Sequence, residues 1–170
     1  MNVSTNKNNR ITILRWVLGA LIVLWCTLIF CMSNETADVS SDRSTGLVRQ
    51  FIGLFVKLFG GDSDDIGLID QLEFYVRKAA HMFLYFVLTC LVFSFLTCYY
   101  LKIKICSLGS VIYSLVYCAT DEIHQLFVDG RSGNLFDIGV DMIGAFIGVC
   151  VMILLFKLVE SHRNKMRPRT

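Results

Sequence analysis

Four apolar runs, Ile11–Met32, Ala79–Tyr99, Ile105–Phe127 and Ile138–Val159, alternate with polar stretches along the chain. Each reaches the ~20 residues that a helix rising about 1.5 Å per residue needs to cross roughly 30 Å of hydrocarbon. Lipid offers no partner to backbone N–H and C=O groups, so runs of this kind must satisfy them internally, as helices. The pattern predicts an all-α protein of one domain, residues 1–170, folded as a four-transmembrane-helix bundle. The first run is too long for a signal-peptide core of ~7–15 apolar residues, and no small-x-small cleavage site follows it. Cys26 and Cys31 follow Trp25 and Phe30, large residues where a lipoprotein cysteine needs a small one. A retained first transmembrane helix is therefore expected.

The polar stretches predict how these helices connect. The loop over residues 33–78 opens with the Ser- and Asp-rich segment Ser33–Asp42, which offers several helix caps. Thr45–Phe59 then sets Leu47, Phe51, Phe55 and Leu58 at helical spacing, with Arg49, Gln50 and Lys57 elsewhere. That spacing predicts an amphipathic helix, lying on a leaflet or capping the bundle. Gly60-Gly61-Asp62 ends it, and Asp62, Asp64 and Asp65 make a short acidic turn. Tyr100–Lys104 is short enough to join the second and third helices as an antiparallel hairpin, with Tyr99 and Tyr100 in the interfacial aromatic belt. Asp129-Gly130-Arg131-Ser132-Gly133 supplies a tight turn between the third and fourth. There is no internal repeat.

Composition and charge then orient the bundle. The chain is 55% hydrophobic with mean hydropathy +0.59, against ~45–50% apolar residues in soluble domains. With four spans both termini share one side. Ten of the 16 basic residues fall there: Lys7, Arg10, Arg15, Lys102, Lys104, Lys157, Arg163, Lys165, Arg167 and Arg169. Arg43, Arg49, Lys57, Arg77, Lys78 and Arg131 lie opposite. The positive-inside rule makes the richer side cytoplasmic, and residues 33–78 a long first outer loop. The expectation is a multi-pass cell-membrane protein with both termini cytoplasmic and a basic, unstructured tail over residues 161–170, drawn to anionic lipid. Of the 14 acidic residues only Glu160 falls on the cytoplasmic side. The seven cysteines lie singly in or beside apolar runs without any C-x-x-C, as small buried hydrophobes do. No nucleophile elbow, P-loop or H-E-x-x-H is present. Nothing implies a cofactor, a metal or nucleic acid.

The informative residues gather at the outer ends of three helices. Lys78, His81 and Tyr85 are spaced i, i+3, i+7 on one face of the second. Asp121, Glu122 and Gln125 cover one sector of the third. Asp137, Asp141, Gly144 and Gly148 form a stripe on the fourth, whose paired glycines allow another helix to approach closely. A charged group within a membrane costs ~2.5–3.5 kcal/mol at a helix centre on insertion scales, so convergence into one cluster is expected. Lys78 and Arg131 face four carboxylates there, a surplus that protonation, a charged His81 or an external cation would relieve. Residue by residue, plainer roles compete: Lys78 setting helix registry, Arg131 tying the loop to Glu122 or Asp137, Tyr85 packing at the interface. His124 departs from the Asp121–Gln125 direction and is as well read as a bystander as a participant.

Lys78-x-x-His81-x-x-x-Tyr85, Asp121-Glu122-Ile123-His124-Gln125-Leu126-Phe127, Gly130-Arg131-Ser132 and Asp137-x-x-x-Asp141-x-x-Gly144-x-x-x-Gly148 together resemble the VanZ-like family. The likeness extends over most of the chain and includes Met32-Ser33-Asn34. The chain has Ser33-Asn34-Glu35 where that family often carries Ser-Ser-Gln, and Asp141 where it often carries Asn. The resemblance implies a link to teicoplanin resistance, the phenotype of the family's namesake, without implying a reaction. Teicoplanin-type glycopeptides carry an acyl chain and act on lipid-linked cell-wall precursors.

Three functions compete. One is a non-enzymatic envelope protein whose outer cluster binds or senses an amphiphile, with membrane lipids and a lipid-linked precursor or lipoglycopeptide as partners. Another is a membrane enzyme using His81 as acid or base, tuned by Asp121 or Glu122, with Lys78 or Arg131 stabilising negative charge. The third is a small ion-coupled transporter, which intramembrane acids suit but four helices without an inverted repeat equip poorly.

Overall fold

The computed structural model describes residues 2–36, 39, 42, 45–46, 48–50, 54, 66–131 and 134–165. Four long helices run in chain order: α1 (Asn2–Ser33), α2 (Ile66–Thr97), α3 (Ile103–Gln125) and α4 (Leu135–Lys165). All four are long and apolar enough to cross a bilayer, and no strand occurs among the described residues. Of the helix expected over Thr45–Phe59, its apolar positions Leu47, Phe51, Phe55 and Leu58 lie outside the described residues, as do the Gly60–Asp65 turn, Ser132 and Gly133.

The helices outrun their apolar stretches. Helix α2 begins at Ile66 rather than Ala79, and α4 continues to Lys165 through five residues expected to belong to an unstructured tail; residues 166–170 lie outside the described residues. Hydropathy marks where the surroundings turn apolar, whereas backbone hydrogen bonding continues until something stops it. Glu73 and Arg77 support the extension of α2 as an i,i+4 pair at 3.1 Å. Helix α3 instead ends at Gln125, earlier than expected, so Leu126 and Phe127 belong to the following turn.

Helix α2 is the centre of the bundle, packing most extensively on α4 and also against α3 and α1. The α2–α4 seam depends on glycine. A Cβ at Gly144 would overlap the Met82 carbonyl, and one at Gly148 would lie 2.9 Å from the Phe86 carbonyl. The two backbones therefore touch in the manner of small-residue seams between membrane helices. On its other side α2 meets α3 through hydroxyls: Thr89 donates to the Tyr85 carbonyl at 2.8 Å and shares a 2.7 Å hydrogen bond with Ser114. Ile22 and Ile29 of α1 join Leu84, Tyr85, Leu88, Val92 and Cys118 in the apolar core. Two long-range hydrogen bonds fasten α1: Trp25 to the Leu84 carbonyl at 2.9 Å, and Tyr117 to the Cys26 carbonyl at 2.6 Å.

One end of the bundle is closed by the α2–α3 turn. Tyr100 sits there at φ 57°, a left-handed conformation uncommon for a bulky residue. Arg15 of α1 donates to the Cys98 carbonyl at 2.8 and 3.3 Å and lies 4.3 Å from the Tyr99 ring centroid. A guanidinium at the end of α2 satisfies a terminal carbonyl and opposes the negative pole of the helix.

Candidate functional site

The opposite end of the bundle is built around the start of α4. The Asn134 side chain accepts the Phe136 N–H at 3.0 Å, an N-cap that fixes where α4 begins. From that start Asp137 and Asp141, one turn apart, both face α2. Asp137 pairs with Lys78. The fully buried Asp141 stands 3.6 Å from His81 Nδ1 through Oδ1 and accepts the Cys118 thiol at 3.3 Å through Oδ2. From α3, Glu122 Oε2 accepts the Asn134 backbone N–H at 2.9 Å, and Asp121 accepts the Gln125 amide at 3.2 Å. The carboxylates thus hold down the α4 N-terminus and fix side chains around it.

Above this acidic layer is a cleft of about 220 Å³ lined by Phe74, Arg77, Lys78, His81, Gln125, Gly130, Arg131 and Asp137. Among the described residues, two arginines, a lysine and a histidine share that lining with one carboxylate. Arg131 does not reach Glu122 or Asp137, the ties open to it from sequence. Its Nε donates to the Glu35 carbonyl at 2.9 Å and its Nη2 to the Met32 carbonyl at 3.4 Å, so it caps α1 and spans the site. Burial, and next the positive charge of Arg77, lower the Arg131 pKa from its ordinary value, with Asp121, Glu35 and Glu122 pulling the other way. The guanidinium remains a cation, since arginine keeps its proton in proteins.

Beneath the cleft, polar satisfaction is incomplete. Among the described residues, four buried side-chain polar atoms have no hydrogen bond: Ser33 Oγ, Tyr85 Oη, Glu122 Oε1 and Asp141 Oδ1. They come one from each helix. The Ser33 hydroxyl adjoins Asp121 without a well-formed hydrogen bond, and Tyr85 lies within electrostatic reach of Asp121, Cys118 and Asp141. Buried polar groups are normally paired, so four together mark a site with unused hydrogen-bonding capacity.

Of the residues singled out from sequence, Lys78, His81, Gln125, Arg131 and Asp137 line the cleft. Tyr85, Asp121, Glu122 and Asp141 lie buried behind it, and Gly144 and Gly148 close the α2–α4 seam. His124 points elsewhere: it stacks on Phe30 with centroids 4.6 Å apart and meets Asn34 Oδ1 at 3.3 Å. Sequence reasoning missed Arg77, Phe74, Cys118 and Ser33. Phe74 lies i−4 from Lys78, and Cys118 lies i−3 from Asp121 and i−4 from Glu122, spacings that place each beside a named residue. Among the described residues no three His, Cys, Asp or Glu side chains are grouped to hold a metal ion.

A family model described as VanZ/LLP1 matches residues 18–157, which includes part or all of each of the four helices and every described residue that lines the cleft. No curated protein and no solved structure matches the chain.

Proposed function

The chain belongs to the VanZ/LLP1 family, and from that premise we propose a non-enzymatic, multi-pass cell-membrane protein that binds an amphiphilic envelope molecule. Its two termini are cytoplasmic and the cleft opens at the outer leaflet. The observation that carries this reading is the cleft itself. A polar hollow lined by Arg77, Lys78, His81 and Arg131 sits at the end of helices whose flanks are apolar, so a ligand can keep its headgroup in the cleft and its chain in lipid. Through that ligand the protein contributes to resistance against teicoplanin-type lipoglycopeptides.

Deleting the gene should increase susceptibility to teicoplanin several-fold and leave vancomycin susceptibility unchanged. Unchanged susceptibility to both drugs would overturn the resistance role. Complementation with His81→Ala, Glu122→Gln or Arg131→Ala at matched membrane levels should fail in all three cases, as one shared site requires. Alkaline phosphatase fused after residue 131 should be active and fused after residue 170 inactive; the reverse pattern would invert the topology.

One observation favours a second reading, a membrane enzyme acting on a lipid-linked substrate. His81 lines the cleft while its Nδ1 faces the buried Asp141, an arrangement that orients a histidine for acid–base work. Turnover of extracted envelope lipids by the purified protein, abolished in His81→Gln, would establish it.

A further inference from the structure

The cleft differs from a generic polar hollow in the kind of charge it collects and in which donors remain uncommitted. Arg77, Lys78 and Arg131 are basic, and Asp137 is the only carboxylate in the lining among the described residues. Lys78 is engaged by Asp137, and Arg77 reaches Glu73 through Nη2 at 3.1 Å. Arg131 spends Nε and Nη2 on the carbonyls of Glu35 and Met32, which leaves its Nη1 donors uncommitted among the described residues. His81 turns Nδ1 toward Asp141, and its Nε2 has no partner among the described residues. The acids beneath are turned to other work: Glu122 to the α4 N-terminus, Asp121 to Gln125, Asp141 to Cys118 and His81. None of the three lines the cleft itself.

Size narrows the ligand further. A water molecule's share of liquid volume is ~30 Å³, so about 220 Å³ admits a small headgroup with some hydration and excludes a glycopeptide. A lone carboxylate has one charge and two acceptor oxygens, which a single arginine fork already matches. Two guanidiniums, an ammonium and an imidazole suit an anion with more charge and more oxygens, and arginine's planar fork favours phosphate. The Phe74 ring adds an apolar wall on the same side, 5.4 Å from Lys78 Nζ.

We propose that this cleft is a phosphate site, taking the phosphate or pyrophosphate headgroup of an envelope lipid between Arg77, Lys78, His81 and Arg131. The proposal rests on the amphiphile reading above and specifies the part of the ligand that enters the protein.

The test uses the full chain purified in detergent, with calorimetric titration of three probes: dihexanoyl phosphatidic acid, dihexanoylglycerol and inorganic pyrophosphate. Phosphatidic acid should bind at least about tenfold tighter than dihexanoylglycerol, and Arg77→Gln should remove about tenfold of that affinity. Arg77 is the chosen position because its one bond among the described residues is an i,i+4 pair, whereas Arg131→Gln also uncaps α1 and risks misfolding. Added salt should weaken phosphatidic acid binding, since the pairing is ionic. Equal affinity for phosphatidic acid and dihexanoylglycerol, unaffected by Arg77→Gln, would overturn the phosphate site and leave the amphiphile reading standing. Tight binding of pyrophosphate with no gain from acyl chains would uphold the phosphate site and overturn the amphiphile reading. Absence of binding by all three probes would overturn both.

Discussion

At the α2–α3 turn, Arg15 spends its guanidinium on the Cys98 carbonyl and the Tyr99 ring, and a short connection holds two helices together. At the far end a guanidinium again caps a helix, Arg131 on α1, but it does so at the wall of a cleft. Behind that wall four buried polar atoms lack hydrogen bonds. The same residue type performs the same local task in both places, and among the described residues the buried polar atoms without a hydrogen bond gather at one end. Proteins break their own packing rules mainly where function requires it, and the contrast is what the proposed ligand site predicts.

The largest effect should come from breaking what both ends share. Gly144→Val forces a side chain into the Met82 carbonyl and should cost ~1–3 kcal/mol or more, read as a large fall in thermal stability in detergent and loss of membrane-inserted protein. Arg15→Met tests the closed end alone. Loss of a charged hydrogen bond and a cation–π contact should destabilise by about 1–3 kcal/mol while phosphatidic acid affinity stays at the wild-type value. His124→Ala removes a ring stack and the Asn34 contact beside the cleft; a loss of ~0.5–1.5 kcal/mol is expected, again with unchanged affinity. Tyr85→Phe should have the smallest effect and the opposite sign. Its buried hydroxyl adjoins the Cys118 thiol and makes no well-formed hydrogen bond among the described residues, so deleting it should leave thermal stability equal to wild type or higher by up to about 1 kcal/mol, whereas complementation of the resistance phenotype should fall. A clear drop in stability on Tyr85→Phe would mean the open end is as fully satisfied as the closed one.

Much of this contrast was legible in the sequence, and the reasons differ by feature. Apolar runs longer than a bilayer crossing admit few structures besides helices, so the four-helix plan followed from hydropathy. The spacing of Lys78, His81 and Tyr85, and of Asp137, Asp141, Gly144 and Gly148, was also readable, because residues three and four apart share a helix face. Helix ends were not. The mixed apolar and charged first turns of α2 and the basic last turns of α4 are helical for backbone reasons that hydropathy does not report. Partner choice was the other gap. Arg131 had carboxylates nearby in sequence and took two carbonyls of α1 instead, which depends on where α1 ends in space. Cys118, read as a small hydrophobe, donates to Asp141, and only the approach of α3 to α4 brings that about. Arg77 was placed on the outer side with Lys78, but it lies one residue off the Lys78–His81–Tyr85 spacing, so nothing in the sequence marked it for the cleft.

The glycine seam also sets an order of events during synthesis. Helix α2 makes its closest contact with α4, and Lys78 finds Asp137 across 59 residues of chain. While α4 is still being made, Lys78 and His81 are in place without Asp137 and Asp141, and the wall they line is half built. The cleft is therefore completed by the last helix to enter the membrane. A nascent chain halted after α3 presents Lys78 and His81 without the Asp137 and Asp141 carboxylates that face them in the finished protein.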